Sequence, residues 1–348
     1  MSKYIRLYEN IRDEIIGGAY PFGGRLPSKR AMAEDRNISV ITVEHAYELL
    51  EEEGYIEARE RSGYYVSYSV KNVFPVAKRR APGGEKAPVY EENSIPYPVY
   101  AKTLRQVLSQ RGEELLTKSP GFGTAALREA VAAYLRRSRN LPADPGRIIV
   151  GSGAEYLYGM VIKVLGRDRI YGIENPSYEN IAAVYEAENV TVERLPIGVD
   201  GIESGALSQA RAEVLHVSPY RSYPTGVTAS AAKKREYINW QKKRGAVIIE
   251  DDFESEFSPL RKPEETLYAL TGGRNVLYIN TFSRTVSPAV RAAYMLVPED
   301  MMPEFEKKLG FYSCPVPVTE QYLLAELLEN GSFERHINRV RRKNREKR

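Results

Sequence analysis

A single cysteine, Cys314, in 348 residues excludes a disulfide framework and a metal site built from several thiolates, and it suits a reducing cytoplasm. Histidine is almost as scarce: His45, His216 and His336 share no metal-ligand spacing. No stretch is apolar over the length needed to cross a bilayer, and the charged start MSKYIRLYENIRDEIIGG holds no secretory core. Neither a P-loop nor a nucleophile elbow is present. A net charge of +4 does not by itself indicate nucleic acid. What the chain does have is 43% hydrophobic residues, enough for at least one large core within two or three domains.

Ile5, Tyr8, Ile11, Ile15 and Ile16 recur at helical spacing, which predicts an amphipathic helix over Tyr4–Gly17. Ser28 is placed to cap a short helix running to about Asp35, and Ser39 a longer one, Val40–Glu53. Tyr55–Ala58 and Tyr64–Tyr68 alternate like strands around Arg59–Gly63. Three helices followed by a hairpin form a winged helix-turn-helix.

The motif G.RLPSKR…S..TV..AY..LEEEGYI, followed by SGYYV, resembles the GntR family of bacterial DNA-binding domains across nearly all of residues 1–68. The resemblance implies double-stranded operator DNA as partner. Ser28, Lys29 and Arg30 would then meet the DNA, with Arg30 on a phosphate or base edge. Ser39 and Thr42 would open the recognition helix towards the major groove, and Ser62 and Gly63 would set the wing against the minor groove. Val40 and Ile41 stand where some members carry Arg or Thr, so base reading is expected to lean on thymine methyls. The first 66 residues hold nine basic against twelve acidic residues, the acids mainly on the first helix and at Glu48–Glu53. Residues 69–94, rich in Pro and Gly with a basic cluster at Lys78-Arg79-Arg80, read as a solvated linker.

From Ile95 to the end, residues 95–348, the pattern becomes α/β. Helices are expected over Ala101–Arg111, Ala125–Arg137 and Glu155–Leu165. Short apolar strands are expected at Ile148–Val150, Arg169–Ile173, Val214–Val217, Ala246–Glu250, Val276–Asn280 and Ala292–Val297. The Gly151–Ala154 turn between a strand and a helix offers unpaired N–H groups to a phosphate. The loop after Val276–Asn280 places hydroxyls at Thr281, Ser283, Thr285 and Ser287 beside Arg284 and Arg291, a set able to close on an anion.

Four segments here, GEELLTKSPGFGTAALREAVAAYL, SPYRSYPTG, EDDFESEF and TFSRTVSPAVR, resemble the fold-type I aminotransferases that use pyridoxal 5'-phosphate, most closely the aminotransferase-like half of MocR-type regulators. The fold implied is an α+β winged helix-turn-helix followed by a three-layer α/β domain. The resemblance assigns cofactor contacts to Ser152, Gly153, Ala154, Thr281 and Arg291 at the phosphate, Tyr178 on the ring face and Asp251 at the ring nitrogen. Arg284 stands where the family has its Schiff-base lysine, and Phe253 replaces a tyrosine that holds the ring oxygen. No catalytic residue is therefore assigned, and any cofactor is expected to bind without a covalent bond. Family members continue into a small C-terminal subdomain to which nothing here corresponds. Its absence predicts an exposed apolar stripe at Tyr322, Leu323, Leu327 and Leu328. The basic final helix, from Ser332, is expected to be a solvated face.

The expected function is that of a homodimeric, cytoplasmic transcriptional regulator whose aminotransferase-like domain senses a pyridoxal phosphate or amino-compound effector. Two alternatives stand beside it. One is an active aminotransferase using another lysine, although Lys233, Lys234, Lys242 and Lys243 all read as solvent-facing. The other is a remnant that only binds DNA.

Overall fold

In a computed structural model of the chain, the described residues are 3–60, 62–68, 93–253, 255–258 and 265–346. The expected linker, apart from its last two residues, lies outside them, as do Lys78-Arg79-Arg80. The chain divides into two compact units, Met1–Ala87 and Pro88–Arg348.

The first unit runs α1 (Lys3–Ile16), α2 (Lys29–Asp35), α3 (Val40–Glu52), β1 (Ile56–Arg59) and β2 (Gly63–Val66). The two strands pair antiparallel, from Ile56 opposite Val66 to Arg59 opposite Gly63. Leu7, Ile11 and Ile15 of α1 pack with Met32, Val43, Tyr47, Leu50, Ile56 and Val66 in one apolar core. Both expected caps form: Ser28 Oγ accepts from the Ala31 N–H and Ser39 Oγ from the Thr42 N–H, each at 3.2 Å. Such caps are worth about 1 kcal/mol apiece. The Tyr47 hydroxyl donates to the Pro27 carbonyl at 2.8 Å, pinning the LPSKR segment onto α3.

The second unit runs α4 (Tyr97–Arg111), α5 (Ala125–Arg139), β3 (Ile148–Gly151), α6 (Ala154–Leu165), β4 (Ile170–Asn175), α7 (Glu179–Ala187), β5 (Thr191–Gly198), β6 (Gly201–Ile202) and α8 (Ser204–Gln209). It continues through β7 (Val214–Val217), α9 (Ala231–Arg244), β8 (Val247–Asp251), α10 (Leu267–Thr271), β9 (Val276–Thr281), β10 (Ala293–Leu296), α11 (Met302–Leu309), α12 (Val318–Glu329) and α13 (Ser332–Glu346). One sheet holds the order β3-β10-β9-β8-β7-β4-β5-β6, with β10 antiparallel to both its neighbours and β6 antiparallel to β5.

Alternation along the central strands separates the two cores. Ile148, Val150, Ile248, Tyr278 and Tyr294 join the core containing α5, α12 and α13. Ile149, Val247, Ile249, Leu277 and Ile279 join the core containing α6, α7 and α11. Strands buried on both faces read as continuous apolar runs, and the result is a three-layer α/β/α domain.

Two expectations are corrected. The stripe on α12 is not exposed: Leu323, Leu327 and Leu328 are fully buried in the α5-side core, and Tyr322 packs with Val107 of α4. The covering helices come from within this chain. Lys233 and Lys234 are not solvent-facing but 5% and 6% exposed. The Lys233 ammonium donates to the Ile202 carbonyl, Ser204 Oγ and Glu236 Oε2 at 2.7–2.9 Å, and Lys234 to the Glu265 carbonyl at 3.1 Å.

Candidate functional site

In the first unit, the exposed N-terminal end of α3 presents Ser39, Val40 and Ile41, with Ile41 63% exposed. Ser39 Oγ and Thr42 Oγ1 lie 2.8 Å apart, so both hydroxyls help to build the helix start. Arg30 is exposed, without an ion-pair partner among the described residues. Lys29 is engaged internally: its ammonium meets Glu44 Oε1 at 2.6 Å and lies 5.5 Å from the centre of the Tyr64 ring. On the wing, Ser62 Oγ and the Tyr65 hydroxyl are 2.7 Å apart. Gly63 has φ of +111°, and a Cβ there would sit 3.3 Å from Arg25 Nε. Arg25 therefore lies flat along the wing turn, a basic side chain within the quoted G.RLPSKR motif that sequence reading did not single out.

In the second unit, β3, β7, β8 and β9 end at one cleft of about 300 Å³. Ligands of open α/β sheets bind outside the carboxyl ends of the strands. Ala154, Tyr178, Asp251, Thr281, Arg284 and Arg291 all line it, together with Phe253. Asp251 closes β8 and is 3% exposed. Its Oδ2 accepts from the Tyr158 hydroxyl, and its Oδ1 is buried without a hydrogen-bond partner among the described residues. Behind it, His216 Nε2 stands 3.6 Å from Asp251 Oδ2 while Nδ1 meets the Tyr185 hydroxyl at 2.7 Å. The aspartate is thus held through Oδ2, while Oδ1 stays buried and bare among the described residues.

At the opposite end lies the Gly151–Ala154 turn into α6. Gly153 has φ of +108°, and a Cβ there would come within 2.7 Å of Arg291 Nη2, so only glycine lets the guanidinium approach this turn. Arg291 Nη2 is 3.0 Å from Glu155 Oε2, and Asn180 Nδ2 donates to Glu155 Oε1 at 3.3 Å. Ala154 and Glu155 line the cleft, while Ser152 and Gly153 form the turn outside that lining. Burial opposes ionisation of Glu155, but its own backbone N–H, Asn180 and Arg291 outweigh burial and hold its carboxyl below the usual range.

The loop hydroxyls mostly close the loop on itself. Ser283 Oγ donates to the Val290 carbonyl at 2.9 Å, Thr281 Oγ1 to the Ala292 carbonyl at 3.3 Å, and Ser287 Oγ accepts from the Ala289 N–H at 3.2 Å. Tyr178 is 40% exposed; its hydroxyl accepts from Asn180 at 2.7 Å, and its ring meets Tyr223 edge-on at 6.1 Å.

Sequence reading did not anticipate Glu155, Tyr158, Tyr185 or His216. A lone polar residue inside the apolar strand VLHV was the signal for His216. An acid in the first turn of the helix after a glycine turn was the signal for Glu155.

These features define a winged-helix DNA-binding unit and a fold-type I aminotransferase-like unit in one chain. Residues 84–348 match the family of class I and II aminotransferases, and residues 3–66 match the gntR family of bacterial regulatory proteins. The chain belongs to the class I and II aminotransferase family, with a gntR-type DNA-binding domain in front, the arrangement of MocR- and PdxR-type regulators. It is 28% identical to the uncharacterized HTH-type transcriptional regulator YdeL of Bacillus subtilis, over 99% of this chain and 77% of that one. It is 28% identical to the pyridoxine biosynthesis regulator PdxR of Corynebacterium glutamicum, over 97% of this chain and 75% of that one. Among solved structures, α-aminoadipate aminotransferase from Thermus thermophilus, complexed with N-(5'-phosphopyridoxyl)-L-leucine, matches with a TM-score of 0.64 and 26% identity, over 73% of this chain and 66% of that one. The chain thus spans about three quarters of the length of these regulators and just under two thirds of that aminotransferase.

Proposed function

We propose that this chain is a homodimeric transcriptional regulator whose first unit grips operator DNA and whose second unit receives a pyridoxyl-type or amino-compound effector without forming a bond to it. One observation carries the effector half: a cleft that keeps Asp251 Oδ1 buried and bare has Arg284, and no lysine, among its described lining residues. A bare buried acceptor is costly unless a donor arrives, and a protonated ring nitrogen is such a donor. The name of the relative PdxR supports a ligand related to vitamin B6.

Pyridoxal phosphate, when bound, would supply an electron-withdrawing ring and a reactive carbonyl. Here Asp251 would hold the ring nitrogen, with Tyr158 and His216 fixing the carboxylate's orientation. Tyr178 would cover the ring, and Arg291 with the Ala154 turn would meet the phosphate. A guanidinium delocalises its lone pair and is a poor nucleophile, so Arg284 can donate charge-assisted hydrogen bonds but does not attack a carbonyl. Phe253 likewise brings no hydroxyl to the ring oxygen. The groups that fit serve recognition, and the two positions that would serve covalent chemistry have lost it.

The DNA half is tested by selecting an operator from random duplexes and titrating it by fluorescence anisotropy. Arg30→Ala should weaken specific binding by about 1–3 kcal/mol if Arg30 reads a base edge. Unchanged affinity in a folded variant contradicts that role.

A further inference from the structure

The end of the cleft that would take a phosphate already holds an anion. Glu155 is the second residue of α6, and its carboxylate lies against Arg291, Asn180 and its own N–H. A hypothetical Cβ on Gly153 would meet Arg291 Nη2 at 2.7 Å and Glu155 Oε2 at 3.2 Å, so carboxylate, guanidinium and glycine turn form one close-packed cradle. Helix N-termini attract anions, and an acidic side chain in the first turn satisfies that attraction from within the chain. The remainder of the cleft still points to a ligand, because Asp251, 3% exposed, holds Oδ1 without a partner among the described residues at the other end.

We infer that Glu155 is a specificity determinant, a tethered anion that competes with a ligand's phosphate for Arg291 and the α6 N-terminus and thereby lets the cleft accept pyridine-type effectors that carry no phosphate ester. This rests on the reading of the cleft as a pyridoxyl-type site and says which member of that class it admits. A phosphorylated ligand must displace the carboxylate from three hydrogen-bond donors, or share one guanidinium with it at close range. A ligand lacking the phosphate reaches Asp251 and leaves the Glu155–Arg291 pair intact.

The experiment compares pyridoxamine with pyridoxamine 5'-phosphate by isothermal titration against the full-length protein and its Glu155→Gln variant. Both probes lack an aldehyde, so lysine reactivity does not enter. Wild type should bind the two with affinities within about tenfold of each other. Glu155→Gln should tighten the phosphate ester by roughly tenfold or more, since a like charge beside the phosphate has gone, and leave pyridoxamine unchanged. If wild type already prefers the phosphate ester strongly, and Glu155→Gln leaves that ratio alone, the role of Glu155 is overturned while the cleft reading stands. If neither protein binds either probe, the cleft reading falls and this inference with it.

Discussion

Arg284 lines the rim of the cleft in the loop between β9 and β10, at the position the proposed reading gives to a cofactor-bonding lysine. Arg284→Lys should restore an amine there, and borohydride should then fix one equivalent of pyridoxal phosphate at position 284, seen by peptide mapping. The bond is expected to be weak, because Phe253 still gives no hydrogen bond to the ring oxygen. A folded Arg284→Lys protein that retains nothing would show that Arg284 is not aimed at the reactive carbon. Glu174 tests the buried electrostatics beneath the same strand ends. Burial pushes its carboxyl up to about 7, aided by the charge of Asp251, although Ser222 and the Ser218 N–H pull the other way. A carboxyl raised in the fold adds stability that is complete below the unfolded carboxyl range and is lost as pH rises through about 7. Glu174→Gln keeps an oxygen for Ser222 and Ser218 and removes the titration, so it should flatten the fall in melting temperature between about pH 4.5 and 7. Glu250 and Glu256, also pushed to about 7 by burial, leave a residual slope. An unaltered profile would mean that Glu174 stays charged in the fold.

Among the elements, α12 is the clearest test of packing. Leu327 is fully buried between α12 and its neighbours, so Leu327→Ala should cost about 2–5 kcal/mol in chemical denaturation, while wild type should bind no dye specific for exposed apolar surface. A cost below about 1 kcal/mol would place α12 outside the cooperative core. The elements also show what a sequence can disclose. β3 and β7 were legible because IIV and VLHV are short, apolar and bounded by polar turns. β5, Thr191–Gly198, was not: it is an outer strand with only Leu195 buried, so neither alternation nor an apolar run marks it. α4 begins at Tyr97, four residues before the expected start, because proline in the first helical turn loses no hydrogen bond that the helix would make. The burial of Lys233 and the cover over α12 depend on partners distant in sequence, Ile202 and α5, which local periodicity does not contain. In the cleft, Asp251 and Arg284 were legible from motif residues, whereas the Glu155–Arg291 pair joins residues 136 apart in sequence.

The chain combines a gntR-type DNA-binding unit with an aminotransferase-like unit, and the proposed function requires the cleft of the second unit to recognise a ligand without bonding to it. The most direct test incubates the full-length wild-type protein with pyridoxal 5'-phosphate, records the absorbance spectrum, reduces with borohydride and weighs the unfolded chain. The expected result is a saturable spectral shift that Asp251→Asn weakens, with no stoichiometric pyridoxyl mass on the chain after reduction. One equivalent fixed on a single lysine of the wild type would contradict it and return the enzyme reading, and a spectrum that never changes would remove the cleft as a pyridoxal-type site.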